Sequence, residues 1–139
     1  MKKSILLFFL LAGLYSCGEP KQQTSQEIDS SQEIAPIQVL TAAEFKSQVD
    51  HKAGILIDVR TPGEVAQGKI AGATNLDINS PEFEQEILQL PKNQDIYLYC
   101  SAGIRSQKAA DLLLKNGYKQ VFHLDGGLAS WIEAGYLTD

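Results

Sequence analysis

The sequence predicts a single α/β domain, a mainly parallel five-stranded sheet with helices on both faces. Three observations predict it. From Ile37 to Asp139 short apolar runs alternate with segments of helical character, and strands separated by helices pair in parallel because parallel neighbours need crossovers. The run Ile55–Val59, "ILIDV", is continuously apolar before its aspartate, as suits a strand covered on both faces. With 139 residues, 44% hydrophobic and 21% charged, the chain suits one small domain with an extension rather than several domains.

The elements follow in order. "IQVL" is a short first strand, and Thr41 then starts a helix, because "TAAE" places Thr41 and Glu44 at capping-box spacing. "ILIDV" is the second strand, and a third is expected near "ATNLDI", Ala73 to Ile78. In "SPEFEQEILQL" Ser80 is the expected cap and Pro81 the first helical residue, with Phe83, Ile87, Leu88 and Leu90 on one face. "DIYLYC" is the fourth strand, and the helix that follows Arg105 runs to a stop at Gly117. "QVFHL" is the fifth, and a last short helix carries Trp131, expected to pack on the sheet, after a tight turn at Gly126 and Gly127.

The N-terminus is read separately. "MKKSILLFFLLAGLYSC" passes from two lysines through apolar Ile5–Leu14 to a cysteine, which is a targeting pattern. Ten such residues fall short of the roughly 20 that span a bilayer. The segment resembles a bacterial lipoprotein signal peptide over residues 1–16, with Tyr15 larger than that box usually carries; plain secretion is the alternative. The resemblance implies lipidation at Cys17 and an exported domain anchored to a bacterial membrane, facing the periplasm. Residues 17–36, rich in Gln, Ser and Glu, are expected to be a disordered tether, spanning about 25 Å as a flexible coil.

Loss of Lys2 and Lys3 with residues 1–16 moves the formal charge from −5 to −7. That balance argues against nucleic acid as a partner, since no basic stripe is left to neutralise phosphates. His51 and His123 stand far apart without clustered Cys or carboxylate neighbours, so no metal site is expected. No other cofactor is called for, and nothing suggests an obligate partner, so a monomer is expected.

Lipidation at Cys17 would leave Cys100 without an intramolecular disulfide partner in a compartment that favours disulfides. Cys100 stands at the carboxyl end of a predicted strand and the start of a predicted helix, where ligands bind in such sheets. Unpaired N–H groups of a first helical turn favour an anion, and Arg105 adds a positive charge. Gly103 permits a tight loop around one sulfur. Together these residues describe an anion cradle with a nucleophile at its base. The bland alternative is a small buried apolar cysteine.

"CSAGIRS" resembles the active-site loop of rhodanese-like sulfurtransferases: cysteine, four intervening residues, arginine, then serine. Tyrosine phosphatases and related cell-cycle phosphatases have five intervening residues, so a phosphatase or arsenate reductase is disfavoured. "IDVRTPGEVAQGKIAGATNL" and "LDGGLASW" are similar to the family's first and last signatures, with Lys69 where the family usually has histidine. The resemblance implies a rhodanese-like domain over residues 37–139. Cys100 is then the catalytic sulfur acceptor, and Ser101, Ala102, Gly103, Ile104 and Arg105 surround its persulfide.

The implied activity moves a sulfane sulfur from thiosulfate or a persulfide, through Cys100, to a thiol or cyanide, with a thioredoxin-like protein among the thiol acceptors considered. Lacking a second basic loop residue, the site is expected to gain less from dianionic thiosulfate than from a persulfide. Asp58, Arg60 and Glu64 are assigned to structural support at a strand exit, and Ser106 to helix capping. Asp125 is expected to serve its turn. A non-catalytic interaction module of the same fold is the competing function class.

Overall fold

The computed structural model describes residues 36–51 and 53–139. The leader expected over residues 1–16 and the lipidated Cys17 lie outside the described residues, as does the tether as far as residue 35. The elements are β1 (Gln38–Leu40), α1 (Ala42–His51), β2 (Gly54–Asp58), α2 (Pro62–Val65), β3 (Thr74–Asn75), α3 (Phe83–Ile87), β4 (Asp95–Tyr99), α4 (Ile104–Lys115), β5 (Val121–Leu124) and α5 (Gly127–Glu133). The strands form one sheet in the order β1-β5-β4-β2-β3, and every pairing is parallel. The predicted fold class is therefore the observed one.

The central strand β4 explains both layers. Its residues alternate with the period of two that a pleated strand imposes. Ile96, Leu98 and Cys100 join α3 and α4 in one apolar layer with Ile87, Ala110 and Leu113. Tyr97 and Tyr99 face the other layer, shared with Phe45 of α1 and Trp131 of α5. Tyr97 stacks on Phe122 with ring centres 4.8 Å apart and meets Phe45 edge-on at 5.8 Å. Full burial of an aliphatic side chain such as Leu98 or Leu113 stabilises the fold by about 1.5–3 kcal/mol.

Local signals account for most element boundaries. Thr41 and Glu44 form the expected box, the Thr41 N–H donating to Glu44 Oε2 at 2.9 Å and the Glu44 N–H to Thr41 Oγ1 at 3.4 Å. Two expectations need correction. The helix predicted from Ser80 begins only at Phe83, because Ser80 Oγ accepts the Glu82 N–H at 3.2 Å in a turn that precedes the helix. Helix α4 starts at Ile104 rather than after Arg105, with Gly103 in the cap position.

Candidate active site

Strand β4 delivers Cys100 to the carboxyl edge of the sheet, and residues 101–103 turn the chain into α4. Gly103 adopts φ 92°, a left-handed conformation that folds its N–H back to 3.1 Å from Cys100 Sγ. A Cβ at this position would also meet the Gly126 nitrogen at 3.3 Å. The first backbone bond of α4 runs from the Gln107 N–H to the Gly103 carbonyl at 3.0 Å, so the N–H groups of Ile104, Arg105 and Ser106 precede the helical ladder.

Helix α5 fixes the loop from behind. The Leu128 N–H donates to the Cys100 carbonyl at 2.7 Å and the Ala129 N–H to the Ser101 carbonyl at 3.1 Å. With those carbonyls drawn towards α5, the loop N–H groups are left for the sulfur. Gly127 permits this approach, since a Cβ there would fall 2.4 Å from the Cys100 carbonyl oxygen. Its role is thus close packing against the loop, in addition to the turn expected from the sequence.

Cys100 is 2% exposed. Burial pushes its thiol pKa up, but the N–H and hydroxyl of Ser106 and the N–H groups of Ala102 and Gly103 outweigh it, and the pKa is lowered overall. Ser106, assigned to capping from the sequence, does not cap α4; the cap residue is Gly103, and Ser106 lies fully buried in the first turn. Its hydroxyl donates to the Gly103 carbonyl at 3.0 Å and lies 3.7 Å from Cys100 Sγ and 3.4 Å from His123 Nδ1. Burial holds the His123 imidazole below its usual pKa against the pull of Asp125 and Asp111.

Arg105 does not stand alone beside the sulfur. Its Nη1 donates to Glu64 Oε2 at 2.8 Å and its Nη2 to Glu64 Oε1 at 2.6 Å, a bidentate pair between α4 and α2. Ser101 Oγ donates to Glu64 Oε1 at 2.7 Å, and Arg105 Nη2 reaches Ser101 Oγ at 3.0 Å. Arg105 and Ser101 hold the Glu64 carboxyl far below the usual carboxylate range, with Thr61 adding to them against partial burial. Glu64 is fixed locally as well, because Thr61 and Glu64 form the capping box of α2.

The position of α2 depends in turn on Asp58 and Arg60. Asp58 is fully buried at the end of β2 and Arg60 nearly so. Arg60 Nε donates to both Asp58 oxygens at 3.0 Å and Nη2 to Asp58 Oδ2 at 2.6 Å. The same guanidinium reaches the Glu64 carbonyl at 3.3 Å and the Gly68 carbonyl at 2.7 Å. Asp58 and Arg60 therefore hold the chain that carries Glu64. Ile104 begins α4 with its side chain 67% exposed, so only its backbone can serve the cradle.

A depression of about 280 Å³ beside the loop is lined by Glu64, Ser101, Leu128 and Ile132. A larger cleft of about 500 Å³ lies among Lys46, Tyr97, Trp131 and Tyr136 on the α1/α5 layer, and no residue of the loop lines it.

A parallel sheet whose central strand leads into a buried cysteine, with the Gly103 N–H turned to its sulfur, defines an α/β domain with a thiol at the carboxyl edge of its sheet. The family model described as "Rhodanese-like domain" matches residues 41–134, and the chain belongs to that family. It is 37% identical over 81 residues to a sulfurtransferase of Allochromatium vinosum, covering 58% of this chain and 74% of that protein. It is 41% identical over 83 residues to a tRNA uridine(34) hydroxylase of Acaryochloris marina, covering 57% of this chain but only 27% of the hydroxylase. Among solved structures, a rhodanese-related protein of Thermoplasma volcanium superposes with a TM-score of 0.65 at 29% identity, over 73% of this chain and 97% of that one.

Proposed function

We propose that this chain is a sulfurtransferase that carries a sulfane sulfur on Cys100. The observation that carries the reading is the Gly103 N–H at 3.1 Å from a buried Cys100 sulfur whose pKa is lowered. The Cys100 thiolate attacks the outer sulfur of thiosulfate or of a persulfide. The donor S–S bond breaks, sulfite or a thiolate leaves with the electron pair, and Cys100 holds a persulfide. An acceptor thiolate or cyanide then attacks the outer sulfur and the Cys100 thiolate leaves. The N–H groups of residues 101–105 and Ser106 stabilise the sulfur anion in both steps, a task that needs no reorganisation because α5 holds the loop. Arg105 is assigned to the wall of the cradle and Glu64 to Arg105.

The sulfurtransferase relative, of which the chain covers 74%, supports this activity. The hydroxylase name belongs to a protein of which the chain covers only 27%, and its activity is not carried over. The "LYSC" segment supports export and a lipid anchor at Cys17, which mass spectrometry of the N-terminal peptide from a bacterial membrane fraction would test.

Intact-protein mass spectrometry after exposure to thiosulfate or cysteine persulfide tests the activity. The expected result is a gain of about 32 Da, reversed by cyanide or a thiol and absent in Cys100→Ser, as covalent carriage requires. A folded protein with a free Cys100 that takes sulfur from neither donor would instead be a binding module of this fold.

A further inference from the structure

We infer that Glu64 is the specificity-determining residue that sets the charge of what reaches Cys100, favouring a donor with one negative charge at its reacting end over a compact dianion. The inference rests on the sulfurtransferase reading and names its donor class as a persulfide rather than thiosulfate.

The argument is one of charges and their partners. Ser101, Ala102, Gly103 and Ile104 carry no charge, so Arg105 is the cation of the loop. Arg105 is occupied twice over by Glu64, at 2.8 and 2.6 Å. The other nearby guanidinium, Arg60, is held by the buried Asp58 carboxylate. The two ion pairs cancel, and the Cys100 thiolate leaves the site with a negative balance.

A dianion at the sulfur would have to compete with Glu64 for the two Nη groups of Arg105 that the carboxylate already holds. That carboxylate accepts five hydrogen bonds: two from Arg105, one from Ser101 Oγ, and two from the N–H and hydroxyl of Thr61 at 3.1 and 2.9 Å. Displacement would leave a half-buried carboxylate with fewer donors. A persulfide needs no such exchange, because the loop N–H groups suffice for its single terminal charge. Glu64 therefore occupies Arg105 as an internal carboxylate, in the place where an external anion would bind.

The test compares two alkylating probes of similar size, anionic iodoacetate and neutral iodoacetamide, on the full chain, with modification read at the Cys100 peptide. Their rate ratio cancels the thiolate fraction. In Glu64→Gln, which keeps a capping-box residue, the iodoacetate-to-iodoacetamide ratio should rise roughly 3- to 100-fold, the span between aqueous and half-buried screening of one charge a few ångströms away. Ser101→Ala loosens the same cluster without removing the charge, and Asp95→Asn removes a charge at the far end of β4. Neither should raise the ratio comparably.

An unchanged ratio in folded Glu64→Gln, or an equal rise in either control, overturns the inference. The ratio of kcat/KM for thiosulfate over cysteine persulfide should rise in Glu64→Gln as the probe ratio does, and a fall would likewise overturn it. If the wild type takes up sulfur from neither donor, the sulfurtransferase reading fails, while the alkylation ratio still decides whether Glu64 governs anion access.

Discussion

Gly127 lies directly behind Cys100: a Cβ added to it would stand 2.4 Å from the Cys100 carbonyl oxygen and 2.7 Å from the Ser101 carbonyl carbon. Both contacts are backbone, which cannot swing aside as a side chain can. Gly127→Ala should therefore push the loop off α5, and its φ of 62° adds strain for any residue with a side chain. We expect a stability loss of about 2–4 kcal/mol by urea unfolding. Sulfur loading of Cys100 should slow at least about tenfold, as misplacement of reacting groups costs rate. Loading at the wild-type rate would show that the loop tolerates displacement.

Ser106 should control the thiol more directly than Arg105 does, because it offers the sulfur both an N–H and a hydroxyl. Ser106→Ala removes the hydroxyl, so the thiol pKa should rise. The midpoint of the pH–rate profile for iodoacetamide at Cys100 should then move to higher pH, with Ser106→Thr restoring it. The alanine variant also removes one of the two donors to the Gly103 carbonyl, which keeps the Gln107 N–H, so the stability loss should stay within about 1 kcal/mol. A midpoint that stays in place would remove Ser106 from the cradle.

Acid should weaken the fold through Glu64. Its folded-state pKa lies far below the ordinary value of 4.5, first through Arg105 and then Ser101. A depressed carboxyl pKa contributes stability that is complete above the unfolded value and is lost as pH falls through the folded one. Wild type should thus exceed Glu64→Gln in stability at pH 7, with the gap closing below about pH 4. Urea unfolding at pH 7 and pH 3 measures it; a gap that is constant with pH would contradict the assignment.

Breaking the Asp58–Arg60 pair should unfold more than it inactivates. Asp58→Asn strands a buried guanidinium, a change that costs about 3–5 kcal/mol when an ion pair loses one partner in the interior. The cost should appear in denaturant midpoint, with Cys100 alkylation in the remaining folded protein close to wild type. A loss below about 1 kcal/mol would mean that solvent reaches the pair.

Features carried by short-range chemistry were legible in the sequence. Strands β1, β2, β4 and β5 follow from apolar runs, the start of α1 from Thr41 and Glu44, and the place of Cys100 from its standing between a strand and a helix. What was not legible is contact between distant segments. Glu64 and Arg105 are 41 residues apart, and nothing in either neighbourhood announces that they pair. Gly127 reads as a turn residue until the loop is seen resting on it. Helix α2 spans four residues, too few for a periodic pattern, although "TPGE" contains the box that starts it. Ser106 follows Arg105 as a cap residue might, but a helix that already begins at Ile104 turns its hydroxyl inward to Gly103 and His123.

The near-complete burial of Cys100 bears on how the site survives oxidants. A thiolate favoured by its surroundings is also more readily converted to a sulfenic acid, while burial of the sulfur limits the access of peroxide. Cys100 is the single cysteine among the described residues, so no neighbouring thiol there can trap that sulfenic acid as a disulfide. Recovery then falls to a thiol arriving from outside. Burial of the sulfur thus hinders its oxidation and its repair alike.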